Sequence, residues 1–145
     1  MPSKATAVWT GSVRGGKGTI STATGALHDA NYSFAARFEG AETGTTPEEL
    51  IAAAHAGCYS MALSALLGAA GLTPQSIETR AAVTLAKVDD GFAITRIALN
   101  TTANVPGASK DIFMQAANDA KAGCPISKLF ANNTEITLEA KLISG

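Results

Sequence analysis

The apolar and polar positions along the chain fall into three regimes. Residues 46–71 are apolar almost all round, whereas the segments before and after them alternate or carry a one-sided apolar stripe. Thr46 suits a helix N-cap, Pro47 the first helical position, and Glu49, three residues after Thr46, the partner position of a capping box. Gly71 is the natural stop. The span of about 24 residues predicts roughly 36 Å of helix. A helix apolar on every side is normally buried on most of them, and Cys58 lies near its middle.

Ahead of this helix, Ala5–Thr10 alternates weakly around Val8 and Trp9 and predicts a strand. Residues 11–18 hold four glycines and read as a turn, and the β-branched run 19–24 as a second strand. After a connection at 25–31, residues 32–39 place Tyr32, Phe34 and Ala36 on one face and Ser33, Ala35 and Arg37 on the other, predicting a third strand. A Gly/Thr loop at 40–46 leads into the helix. Beyond it, residues 77–87 and 92–103 read as strands joined through Asp90-Gly91, a strong hairpin signal. Ser109 suits an N-cap, with Asp111 in the first turn and Ile112, Phe113, Ala116, Ala117 and Ala120 sharing a face. Gly123-Cys-Pro125 interrupts that helix. Pro125 starts a short second one at 126–131, with Cys124 at or beside its N-cap. Residues 134–142 form a last strand. The order βββ-α-ββ-α(α)-β is an α+β fold, with antiparallel pairing favoured by the short hairpins.

At 145 residues the chain reads as a single domain, 1–145, long enough for a real core. A net charge of −1 without a basic run argues against nucleic acid or an anionic membrane surface as partner. Two cysteines are too few for a disulfide framework, and the first residues lack the apolar stretch of a signal peptide. Glu48, Glu49, His55 and the glycines of 46–71 argue against a membrane span. The expectation is a soluble cytoplasmic protein whose apolar helix is covered by other elements, from its own chain or a second one.

Cys58 reads in two ways. It is an inert buried thiol on an alanine-rich helix, or a reactive one approached past the small side chains one turn away. Cys124, in its Gly-Cys-Pro break, supports the second, since a helix N-terminus favours the thiolate and paired thiols in a cytoplasmic chain suggest redox chemistry. Arg37 is an exposed strand residue or the permanent cation such a thiolate needs. Glu49 caps its helix or holds Arg37 through a bidentate pair. His55 lies three residues before Cys58, but no Asp or Asn partner for a triad is identifiable. Two Cys and two His (His28 and His55) without ligand spacing argue against zinc.

The phrases Ala-Arg-Phe-Glu-Gly at 36–40, Pro-Glu-Glu-Leu-Ile-Ala-Ala-Ala-His-Ala-Gly-Cys-Tyr-Ser at 47–60 and Lys-Ala-Gly-Cys-Pro-Ile-Ser at 121–127 resemble the osmotically inducible protein C (OsmC) family, as do Gly-Thr-Ile-Ser-Thr at 18–22 and Asp-Gly-Phe-Ala-Ile-Thr at 90–95. The resemblance implies an intertwined homodimer with antiparallel sheets wrapped around long central helices. It implies a thiol peroxidase that reduces organic hydroperoxides, and hydrogen peroxide less well, in oxidative or osmotic stress defence. The reductant it implies is a dithiol of lipoyl type; no cofactor or metal is required. Cys58 falls on the peroxidatic position, Cys124 on the resolving one, and Arg37 and Glu49 on the activating ones. The sister group of organic hydroperoxide resistance (Ohr) proteins carries its arginine in the first hairpin, which makes Arg14 the rival. Competing readings are a non-catalytic redox sensor, a small-molecule binding stress protein, or a structural stress protein with Cys58 buried and inert.

Glu49 and Cys58 are nine residues apart, about 13.5 Å of rise and opposite faces of one helix. A Glu49 that serves a thiol therefore serves the Cys58 of a second chain.

Overall fold

The computed structural model describes residues 1–144, and the chain divides into two compact units, Met1–Leu50 and the residues from Ile51 onward. In the first, β1 (Ala5–Thr10), β2 (Lys17–Thr22) and β3 (Ala30–Tyr32) form an antiparallel sheet in chain order. Gly18 is the register partner of both Trp9 and Tyr32. Their rings stand 5.3 Å apart, and a Cβ on Gly18 would run into both, so only glycine fits.

The predicted third strand at 32–39 is corrected. Strand β3 ends at Tyr32, and Ser33 caps a short helix, α1 (Phe34–Phe38), by accepting the Ala36 N–H at 3.1 Å. The apolar residues here fit a period of two and of four equally. The cap and the Phe34–Phe38 ring contact at 4.9 Å, four residues apart, select the helical turn. Arg37 therefore sits in the last turn of a helix.

Helix α2 (Pro47–Ala69) is the expected long apolar element. Thr46 Oγ1 accepts the Glu49 N–H at 3.0 Å. The Glu49 carboxylate does not complete the box but accepts from Thr45 Oγ1 at 2.7 Å. At the other end, Gly71 takes a φ of 80°. The Leu72 and Gly71 N–H groups bond back to the Leu67 and Gly68 carbonyls, at 2.9 Å each, closing a Schellman motif.

In the second unit, β4 (Ser76–Val88) and β5 (Gly91–Asn104) form the expected antiparallel hairpin around Asp89-Asp90. Helices α3 (Lys110–Gly123) and α4 (Pro125–Phe130) follow, and β6 (Glu135–Ser144) pairs with β5. This last pairing is parallel rather than antiparallel. A helical crossover returns the chain to the end from which β5 started, and hairpin signals say nothing about such a connection.

The core of this unit is built by a stripe of α2 (Tyr59, Leu63 and Leu67), alternate residues of β5 (Ile97, Leu99 and Ala103) and one face of α3 (Phe113, Ala117 and Ala120). Ile112, expected on that α3 face, lies at its edge and is exposed. Met61 and Leu66 on α2 are exposed as well. Only 22% of the most apolar stretch of α2 is buried within one chain.

Candidate active site

The two cysteines meet in the second unit. Cys58 lies midway along α2, anchored by the neighbouring Tyr59, whose hydroxyl donates to the Ala117 carbonyl at 3.0 Å. On its other side, Ser60 Oγ lies 2.8 Å from both the Ala56 carbonyl and Thr79 Oγ1, tying α2 to the sheet. Cys124 occupies the joint between α3 and α4. Its N–H continues the α3 ladder to the Ala120 carbonyl, and Pro125 then fixes the first turn of α4. Chain geometry on both sides thus aims the two sulfurs at each other, and they lie 2.9 Å apart as free thiols.

Their surroundings differ. Cys58 is half-buried and Cys124 fully buried. Burial pushes the Cys58 thiol up, and its contact with Cys124 adds to this, against one favourable bond from the Ile126 N–H. Burial also opposes ionisation of Cys124. There, bonds from the Cys58 thiol, the Ser127 N–H and hydroxyl, and the Ile126 N–H outweigh it, and its thiol is held below the ordinary value. The S–H between the sulfurs can point either way. With both thiols protonated the Cys124 S–H donates to the Cys58 sulfur, and the donors around Cys124 favour its thiolate once that proton is lost.

Behind Cys124 lies a second pair. Ser127 Oγ is 2.8 Å from His55 Nε2, and both residues are buried. Burial lowers the His55 pKa, so the ring is neutral. Among the described residues no group of His, Cys, Asp and Glu is placed to hold a metal ion.

The two candidate arginines, Arg14 and Arg37, belong to the first unit. Arg37 donates from Nε (3.0 Å) and from a terminal nitrogen (2.7 Å) to the Glu48 carboxylate, which is largely buried. Its guanidinium stands 5.3 Å from the Phe38 ring centre, and that of Arg14 4.7 Å from the Phe34 ring. A cavity of about 230 Å³ opens here, lined by Trp9, Val13, Tyr32, Ser33, Phe34, Arg37, Phe38 and Pro47.

Residues 40–139 match the family described as OsmC-like protein. The chain belongs to the OsmC-like family. It is 54% identical over 141 residues to peroxiredoxin OsmC of Escherichia coli (strain K12), across 97% of this chain and 96% of that protein. It is 31% identical over 130 residues to organic hydroperoxide resistance protein OhrB of Bacillus subtilis (strain 168), across 88% and 93%. The crystal structure of Bacillus subtilis OhrB superposes with a TM-score of 0.71 at 27% identity, covering 95% of this chain and 98% of that one. The α+β architecture is therefore that of the OsmC/Ohr fold.

Within this OsmC-like chain the structure brings Cys58 and Cys124 together, as the sequence suggested. The expected Arg37–Glu49 pair is replaced by Arg37–Glu48. Successive residues of a helix point about 100° apart, and Glu49 is turned to Thr45. Glu48 was missed because two adjacent glutamates in a first helical turn look alike until helix phase is known. Ser127 was missed because it carries no charge, although its place three residues after Cys124 was a usable signal. His55 finds its partner in that serine, not in an Asp or Asn.

Proposed function

We propose that this OsmC-like protein is a thiol-dependent peroxidase that reduces organic hydroperoxides to alcohols, with Cys58 as the attacking thiol and Cys124 as the resolving one. One observation carries the reading: a reachable sulfur at Cys58 is backed, 2.9 Å away, by a sulfur that is fully buried. A hydroperoxide has access to the first and not to the second. The Cys58 thiolate attacks the outer peroxide oxygen, the O–O bond breaks, and the alkoxide takes a proton and leaves as alcohol. Cys58 is then a sulfenic acid. Cys124 attacks that sulfur, the S–O bond breaks, water leaves and a disulfide forms. An external dithiol, of lipoyl type by family resemblance, restores both thiols by exchange.

Cys58 needs a cation to ionise, and among the described residues of the second unit no Lys or Arg acts on it. Arg37 and Glu49 are the activating residues in this reading, Arg37 being held through Glu48 and stabilising both the thiolate and the oxygen that gains charge. The working form is a homodimer in the cytoplasm, where both thiols start reduced. The thin cover of α2 within one chain supports a second copy lying against it. The nine-residue separation of Glu49 and Cys58 along that helix supports a site shared between chains.

A peroxidase assay with an alkyl hydroperoxide and a dithiol tests the activity; Cys58→Ser is expected to abolish it, and retained activity would overturn the assignment. Mixing Cys58→Ser with Glu49→Ala protein after co-refolding tests the sharing. Verified heterodimers hold one intact site, so activity partly returns; no recovery would remove Glu49 from a shared site.

A further inference from the structure

Cys124 is surrounded by more than resolution strictly requires. Ser127 is 2% exposed and His55 is 0% exposed, yet the two face each other at 2.8 Å deep beside the resolving thiol. His55 Nδ1 has no partner among the described residues. A buried bare acceptor costs less than an orphaned N–H, so the proton of the neutral ring belongs on Nε2. His55 then donates to Ser127 Oγ, and the serine hydroxyl proton is left free for the Cys124 sulfur, to which Ser127 also offers its N–H. Order runs from ring to hydroxyl to sulfur, with every donor pointing one way.

We infer that Ser127 and His55 are positioning residues for the second half of the reaction: His55 fixes the Ser127 hydroxyl, and that hydroxyl orients the Cys124 sulfur that attacks the Cys58 sulfenic acid. The inference rests on Cys124 being the resolving thiol. In the step itself the Cys124 sulfur bonds to the Cys58 sulfur, the Cys58 S–O bond breaks, and hydroxide leaves and takes the proton that Cys124 gave up, as water. Cys124 is oxidised and Cys58 reduced by one level each. The hydroxyl keeps its own proton throughout. It sets the direction and charge of the attacking sulfur rather than shuttling a proton, and a neutral His55 suits that role. The other titratable groups facing Cys124 are Cys58 and Tyr59, both on α2. Burial, and after it the charge of Cys124, pushes the Tyr59 hydroxyl up, so it stays protonated where Cys124 titrates.

The test separates the two chemical steps. Reduced protein is mixed with one equivalent of an alkyl hydroperoxide and quenched over time, and Cys58 sulfenic acid and Cys58–Cys124 disulfide are counted by mass spectrometry at several pH values. Ser127→Ala is expected to slow disulfide formation about tenfold, as loss of a hydrogen bond to a charged group does, and to move its pH midpoint upward. Oxidation of Cys58 stays within about twofold. Ser127→Thr restores the rate, and His55→Gln gives a smaller defect of the same kind. Disulfide formation at the wild-type rate in Ser127→Ala, or a slowing equal at every pH, overturns the inference. Absence of Cys58 oxidation in the wild type would instead overturn the peroxidase reading. The inference is then decided by ultraviolet thiolate titration of Cys124 in Cys58→Ser protein with and without Ser127→Ala, where an unmoved midpoint rejects it.

Discussion

The two thiols share one contact and one donor, the Ile126 N–H, and differ in almost everything else. Cys58 sits in the middle of a helix whose N–H groups are all consumed by its own ladder, so its sulfur receives a single backbone donor from outside, the Ile126 N–H. Cys124 sits where one helix has ended and the next has not closed its first turn, and two free N–H groups and a hydroxyl converge on it. The difference teaches a division of labour. The reachable sulfur is the one its own unit leaves short of stabilisation, and the stabilised sulfur is the one that peroxide cannot reach.

The contrast can be broken at several points. The largest effect is expected from Cys124→Ser: continuous turnover with a dithiol whose reduction requires the disulfide should collapse, while one equivalent of hydroperoxide is still consumed. A steady-state assay beside a single-turnover assay reads both, and undiminished turnover would mean that the reductant meets the Cys58 sulfenic acid directly.

Next comes the missing cation. Arg37→Ala is expected to move the pH midpoint of Cys58 alkylation up by about one unit or more, as removal of a neighbouring opposite charge does. Arg14→Ala is expected to leave it in place. The reverse result would assign the cation to Arg14, whose guanidinium already lies over Phe34.

The smallest effect concerns stability. His55 has a pKa below its unfolded value, so the folded chain binds fewer protons than the unfolded one between the two values. Its contribution is fully present above the unfolded value, about 6.5, and is lost as pH falls below it. The Tm should decline with acidification from there, and His55→Gln should flatten that part of the profile. An identical slope in the variant would mean that His55 is not the group responsible.

Most of this architecture was legible in the residues. The long helix declared itself through Thr46, Pro47 and Gly71, and the hairpin through Asp90-Gly91, because caps and turns are local chemistry. The joint at Cys124 was readable from Gly123 and Pro125 for the same reason. Residues 32–39 misled because their apolar spacing satisfies two periods, and the decision fell to Ser33. The parallel β6 was hidden because the direction of a strand after a helical crossover depends on the whole connection. In the site, both cysteines stood out by type, but the Glu48 pair and the Ser127–His55 contact join residues that only the fold brings face to face.

The central claim is that Cys58 takes the oxygen and Cys124 only resolves it. Its most direct test is to treat Cys124→Ser and Cys58→Ser proteins with one equivalent of an alkyl hydroperoxide, trap sulfenic acid with a dione reagent, and locate the adduct by peptide mass spectrometry. The account predicts a stable adduct on Cys58 in the first protein and an unmodified Cys124 in the second. A rapid adduct on Cys124 in the Cys58→Ser protein, with Cys58 left reduced in the other, would contradict it.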